Sequence, residues 1–132
     1  MNDWIYNGEP YTDPGSFYGF VYLITNKING RQYIGKKFFW SSKRKQVKKV
    51  RRRYKVESDW REYWSSSDEL KLEVDTLGYE SFTREILHLC VNKGTTNYLE
   101  AKEQFTRGVL ENKEKWYNNW IQIKVTSSHI KL

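Results

Sequence analysis

Two kinds of side chain in this chain are suited to work on a phosphate polymer, and they are neighbours in sequence. Tyr22 in Phe20-Val21-Tyr22 and Tyr33 in Tyr33-Ile34-Gly35 present phenol hydroxyls on either side of one turn. A basic run follows at once. Between Asp13 and Glu57 there is no acidic residue, and Lys36 to Lys55 holds eleven lysines and arginines. Such side chains neutralise backbone phosphates and release their counterions, while the interleaved Phe38, Phe39, Trp40 and Tyr54 offer stacking surface or core anchors. The net charge of +7 and the pI near 9.4 indicate a polyanionic partner because the charge is clustered. A solvated basic face, beside a hairpin whose tyrosines only pack across strands, would account for the same residues. Nucleic acid is the favoured partner.

The elements that must position these groups are legible in outline. Gly19 to Lys37 reads as two strands joined at Asn29-Gly30, a turn signal because both residues tolerate positive φ. Residues 1–17 read as a loop-like arm, with Gly8-Glu9-Pro10 and Asp13-Pro14-Gly15 as breakers and with Trp4, Tyr6 and Tyr11 to lay it across a sheet. In Lys43 to Lys55, Val47, Val50 and Tyr54 recur at near-helical spacing, which predicts a basic helix or an arm that orders on DNA. Ser66 and Glu69 form a capping box for a helix whose Leu70, Val74 and Leu77 share a face and which stops at Gly78. Phe82 to Val91 reads as a buried third strand. Asn97 is expected to start a second helix with Tyr98, Ala101, Phe105 and Val109 on one face, and Trp116 to Val125 closes in extended form.

The expected fold class is α+β, a small three-stranded antiparallel sheet flanked by helices. It forms one domain over residues 1–132, with an N-terminal arm at 1–17 and a basic insertion at 36–58. The single cysteine, Cys90, excludes an internal disulfide framework and a Cys-rich zinc site, and its apolar surroundings read as a buried, inert thiol. Without a leader-like start or an apolar run of spanning length, the chain is expected to be cytoplasmic with no membrane partner.

Several landmarks recur in a known order: the strand tyrosine, Tyr33-Ile34-Gly35, Ser66-Ser67, Gly78, Phe82, Ile86-Leu87, Glu100 on a helix, and Tyr117-Asn118. This series resembles the GIY-YIG nuclease family, its phage intron-homing members in particular, with Phe-Val-Tyr standing for Gly-Ile-Tyr. The resemblance implies a metal-dependent endonuclease that hydrolyses double-stranded DNA to 5′-phosphate and 3′-hydroxyl ends. It implies that Glu100 holds one Mg²⁺ or Mn²⁺, hard ions that take oxygen ligands and keep water. From its residues alone, Asn97-x-x-Glu100 reads instead as a capping box. Tyr22 would be the general base, with Lys36 or Lys37 stabilising a phenolate whose free pKa is about 10.

Tyr33 would orient the water or a phosphate oxygen, and Asn118 (or its neighbour Asn119) would position groups by hydrogen bonds. The family's arginine offset lands on Arg44, with Arg51, Arg52, Arg53 and Arg61 as alternatives. The histidine common nearby in relatives is absent, and His88 reads as structural. Lys37, Lys43, Lys45, Lys48, Lys49, Arg51, Arg52, Arg53 and Lys55 are expected to contact DNA. The alternative is a non-catalytic DNA-binding module on the same fold, which would not need Tyr22, Tyr33, Glu100 and Asn118. An RNA-binding basic domain explains the charge but not that set. Recognition would come from the basic insertion and the arm, or through a homodimer. By analogy with stand-alone phage members, the setting would be the host cytoplasm.

Overall fold

The computed structural model describes residues 2–47 and 50–132, with the backbone alone for residues 43–47 and 50–54. In chain order the elements are β1 (Trp4–Tyr6), β2 (Glu9–Tyr11), β3 (Gly19–Asn26), β4 (Gln32–Phe38), β5 (Trp40–Val47), β6 (Val50–Glu57), α1 (Asp68–Leu77), β7 (Phe82–Cys90) and α2 (Lys93–Arg107). Strand β3 is the centre, antiparallel to β4 on one side and to β7 on the other. Its two faces feed two cores. Phe20, Tyr22 and Ile24 pack with Trp4, Phe39, Trp60, Leu70, Val74, Phe82 and Ile86. Val21 and Leu23 pack with Ile34, Cys90, Leu99, Val109 and Trp116 on the other face. A strand covered on both faces reads as a continuous apolar run, as Phe20 to Ile24 does.

The expected three-stranded antiparallel sheet is present as β4-β3-β7 but is only part of the whole. The sheet has five strands in the order β2-β1-β7-β3-β4, and it is mixed, because β1 runs parallel to β7. The arm read as a loop is therefore a hairpin on the far edge. Its turn is Asn7-Gly8, both at positive φ (51° and 81°), the backbone that a two-residue hairpin turn requires. Pro10 is tolerated in β2 because that strand lies at the sheet edge.

The basic insertion is neither helix nor arm. Trp40 to Val47 pairs residue for residue with Val50 to Glu57 as a separate two-stranded sheet, so the three- and four-residue spacing of Val47, Val50 and Tyr54 was not a helical period. Local signals shift elsewhere by a few residues. Ser67 rather than Ser66 caps α1, accepting from the Leu70 amide, and Glu69 pairs with Arg31. Asn92 rather than Asn97 caps α2, accepting from the Thr95 amide at 2.8 Å. Thr95, Thr96, Leu99, Ala101 and Gln104 are buried along α2, whereas Phe105 is exposed. In the β3–β4 turn only Gly30 takes positive φ, and the Asn26 amide bonds Arg31 across it.

An aromatic stack ties the insertion and the N-terminal hairpin to the sheet. The Trp4 indole donates to the Trp60 carbonyl at 2.7 Å, and the Trp60 indole donates to Glu57 at 2.8 Å. Trp60 meets Phe39 edge-on with centroids 4.9 Å apart. Buried Arg84 lies between the Trp4 and Trp64 rings, 4.6 and 4.5 Å from their centroids, and donates to the Tyr63 carbonyl. Burial pulls its pKa down to about 10, which leaves it charged at neutral pH. Trp60→Ala should cost about 3–5 kcal/mol in urea unfolding, the range for deleting a buried aromatic. A loss under about 1 kcal/mol would mean that this stack does not hold the fold.

Candidate active site

One cleft of about 680 Å³ opens where the outer edge of β4, the start of α1, the middle of α2 and the segment after Tyr117 meet. Tyr22, Tyr33, Lys36, Glu100 and Asn118 all line it. Tyr22 belongs to an inner strand and reaches this edge for a simple reason. It is paired opposite Gly35, and a Cβ on Gly35 would stand 2.4 Å from the Tyr22 hydroxyl and 2.8 Å from Tyr33 Cε1. The missing side chain lets the Tyr22 ring lie across β4, with Tyr33 stacked beside it at 6.1 Å between centroids. The β3–β7 register shifts between Val21 and Tyr22, a bulge at the residue that carries the hydroxyl.

Tyr63 and Ser66, between the insertion and α1, line the cleft beside the two phenols. The Tyr63 ring meets the Tyr22 ring edge-on with centroids 6.1 Å apart, and Ser66 Oγ lies 3.1 Å from the Tyr33 hydroxyl. Burial raises the pKa of all three tyrosines; for Tyr22 the shift is large, and neighbouring phenols and Glu100 add to it. As the chain stands, Tyr22 is a neutral phenol. The cations expected beside it face elsewhere. Lys36 Nζ lies 3.5 Å from Glu100 Oε1 and 2.5 Å from Asn97 Oδ1, while Lys37 pairs with Asp59 at 2.6 Å and covers the Tyr63 ring.

Glu100 sits in the body of α2, which removes the capping explanation, since Asn92 makes the cap. Its side chain is only 14% exposed. Burial pushes its pKa above the ordinary carboxylate value, and Lys36 offsets part of the rise. Asn118 is buried and fully engaged: Oδ1 accepts from the Ile34 amide at 3.1 Å and Nδ2 donates to the Ile34 carbonyl at 2.8 Å. Asn119 instead accepts from Lys113.

A family model described as "Putative endonuclease segE, GIY-YIG domain" matches residues 4–121. The chain belongs to the GIY-YIG family. Neither the curated proteins nor the solved structures give a match.

Of the GIY-YIG landmarks, Tyr22, Tyr33, Ser66, Ser67, Glu100, Tyr117 and Asn118 line the one cleft. Of the expected DNA contacts, Lys48 and Lys49 lie outside the described residues. Lys43, Arg44, Lys45, Arg51, Arg52 and Arg53 are described by backbone only, so the expected place of the Arg44 guanidinium lies outside them too. Lys55 is exposed on β6. Arg61 turns away from the cleft, to Glu57 and the Trp60 ring. Sequence reasoning missed Tyr63, whose signal was the dense run Trp60-x-x-Tyr63-Trp64, and Asn97, which it took for a cap.

Among the described residues no three His, Cys, Asp or Glu side chains cluster as a closed metal cage. The donors gathered at Glu100 are one carboxylate and the neutral oxygens of Asn97 and the phenols. That set fits a hard divalent cation completed by water and substrate phosphate.

Gly35→Ala should destabilise the fold by about 1–3 kcal/mol, as forced overpacking does, and displace Tyr22. Urea unfolding checks the first, and unchanged stability would show that Tyr22 does not depend on the gap. Because the folded pKa of Glu100 is raised, its stabilising contribution is complete below the unfolded value near 4.5 and is lost as pH climbs through the folded value. Glu100→Gln cannot ionise, so its stability relative to wild type should improve as pH rises from about 4 to 7. Parallel stability curves would contradict the burial of a charged Glu100.

Proposed function

We propose that this chain is a metal-dependent endonuclease that hydrolyses phosphodiester bonds of double-stranded DNA, leaving 5′-phosphate and 3′-hydroxyl ends. The observation that carries this reading is the meeting of Tyr22, Tyr33, Lys36 and Glu100 in one cleft of a GIY-YIG domain. Membership of an endonuclease family alone would fit a domain that binds without cutting. The basic hairpin supports a polyanionic substrate independently. Its register sets Arg44 opposite Arg53 and Lys45 opposite Arg52, and like charges directly opposite destabilise a strand pair unless anions come between them.

Glu100 and Asn97 would hold Mg²⁺ or Mn²⁺. When bound there, the ion supplies charge stabilisation at phosphorus and on the leaving oxygen. Lys36 favours the ionised form of Glu100 against its burial. Tyr33, fixed through Ser66, orients the attacking water or a phosphate oxygen. Tyr22 takes the water's proton, its hydroxyl lying in the cleft over Gly35. Tyr22 can act as a base only once its own proton has left, which positive charge beside Glu100 favours by cancelling the carboxylate that raises it. Asn118 acts through backbone, holding β4 between Tyr33 and Gly35.

Purified protein should nick supercoiled plasmid in Mg²⁺ or Mn²⁺ but not in chelator. Tyr22→Phe should slow nicking by about 10²–10⁴-fold, the range for loss of a general base, with DNA binding retained. Glu100→Ala should abolish it. Tight, salt-sensitive binding with no nicking in any metal would refute the enzyme reading in favour of the binding module.

A further inference from the structure

Beside the cleft lies a second hollow of about 540 Å³ that shares Asn97 and Lys124 with it. Its other basic side chains are Lys93 and His129, its hydroxyls are Thr126 and Ser128, and among the described residues no carboxylate lines it. The acids of the main cleft are each paired: Glu100 with Lys36, Asp68 with Lys71 and Glu69 with Arg31. Lys93 and Lys124 are exposed, and neither forms an ion pair among the described residues.

The segment that carries Lys124 is fastened at both ends. Asn118 is held on β4. The Lys131 amide donates to Thr95 Oγ1 at 2.6 Å. His129 packs so closely on Gly94 that a Cβ there would lie 2.4 Å from the His129 Cβ. The family match stops at residue 121, before Lys124.

We propose that the DNA strand engaged in the cleft continues over Lys124 into this second hollow, with Lys124 and Lys93 each neutralising a backbone phosphate. The proposal rests on the endonuclease reading in using the same cleft. Lys124, shared by both hollows, and Lys93 in the second extend the basic lining of the cleft beyond Lys36, and a phosphate backbone is the ligand that needs charges in sequence rather than at one point.

The test is duplex affinity over a salt series in chelator, where nothing is cut. Lys124→Ala and Lys93→Ala should each reduce the slope of log affinity against log salt by about 0.9, and the double variant by about 1.8. Lys124→Arg should keep the wild-type slope. Inorganic phosphate at matched ionic strength should leave duplex affinity unchanged; displacement of duplex by it would identify free phosphate as the occupant and overturn the proposal. Wild-type slopes in the double variant would also overturn it. Plasmid nicking by wild type is read separately. Nicking with unchanged slopes removes the track and leaves the nuclease, reduced slopes without nicking do the reverse, and no duplex binding removes both.

Discussion

The outer edge of β4 is the constraint on which the site depends. Gln32 is paired there through backbone: its amide donates to the Lys115 carbonyl and its carbonyl accepts from the Tyr117 amide. Two residues on, the same edge presents the buried amide and carbonyl of Ile34. Left open, each would cost on the order of 1–3 kcal/mol. The Asn118 side-chain amide meets both, doing what the next peptide of a paired strand would do. Gln104 of α2 adds a bond to the same carbonyl at 3.0 Å. The edge is thereby closed with side chains, and the main chain is released to turn outward and wall the cleft. A shorter or apolar side chain at Asn118 would force a choice between a sealed edge and a cleft.

The electrostatics of the cleft follow from one cause. Burial raises the pKa of Tyr22, Tyr33, Tyr63 and Glu100, and the Glu100 charge adds to the rise in the three tyrosines. Lys36, 3.5 Å from Glu100, offsets part of its rise. Positive charge delivered next to Glu100 would act on all four groups in the same direction.

The basic insertion contributes differently. Its strands pair only with each other, so they add no area to the main sheet. An isolated hairpin is marginal in water, and opposed like charges weaken it further. What fixes it to the body is its base, where buried Phe39 bonds Tyr18 and Ser58 through backbone, and where Trp60 closes over Phe39.

Much of the site was legible in the chain because its markers are local. Alternation and apolar runs place β3, β4 and β7, Gly78 ends α1 at positive φ, and the spacing of Tyr22, Tyr33, Glu100 and Asn118 selects residues that do share one cleft. The buried state of Cys90 followed from its apolar neighbours. Other features depend on partners far away in sequence. Asn7-Gly8 announces a turn, but only the open edge of β7 makes Trp4–Tyr6 a parallel strand. The near-helical spacing in the insertion yields to eight cross-strand pairs. Asn92 rather than Asn97 caps α2, and so Glu100 becomes a cleft residue. Motif residues in their order thus carried the resemblance to the family, and local pattern placed β3, β4, β7 and the reactive residue types. Which edge stays open, which hydroxyl meets which, and where each charge finds its partner were decided only in the tertiary structure, because burial and long-range pairing have no local signature.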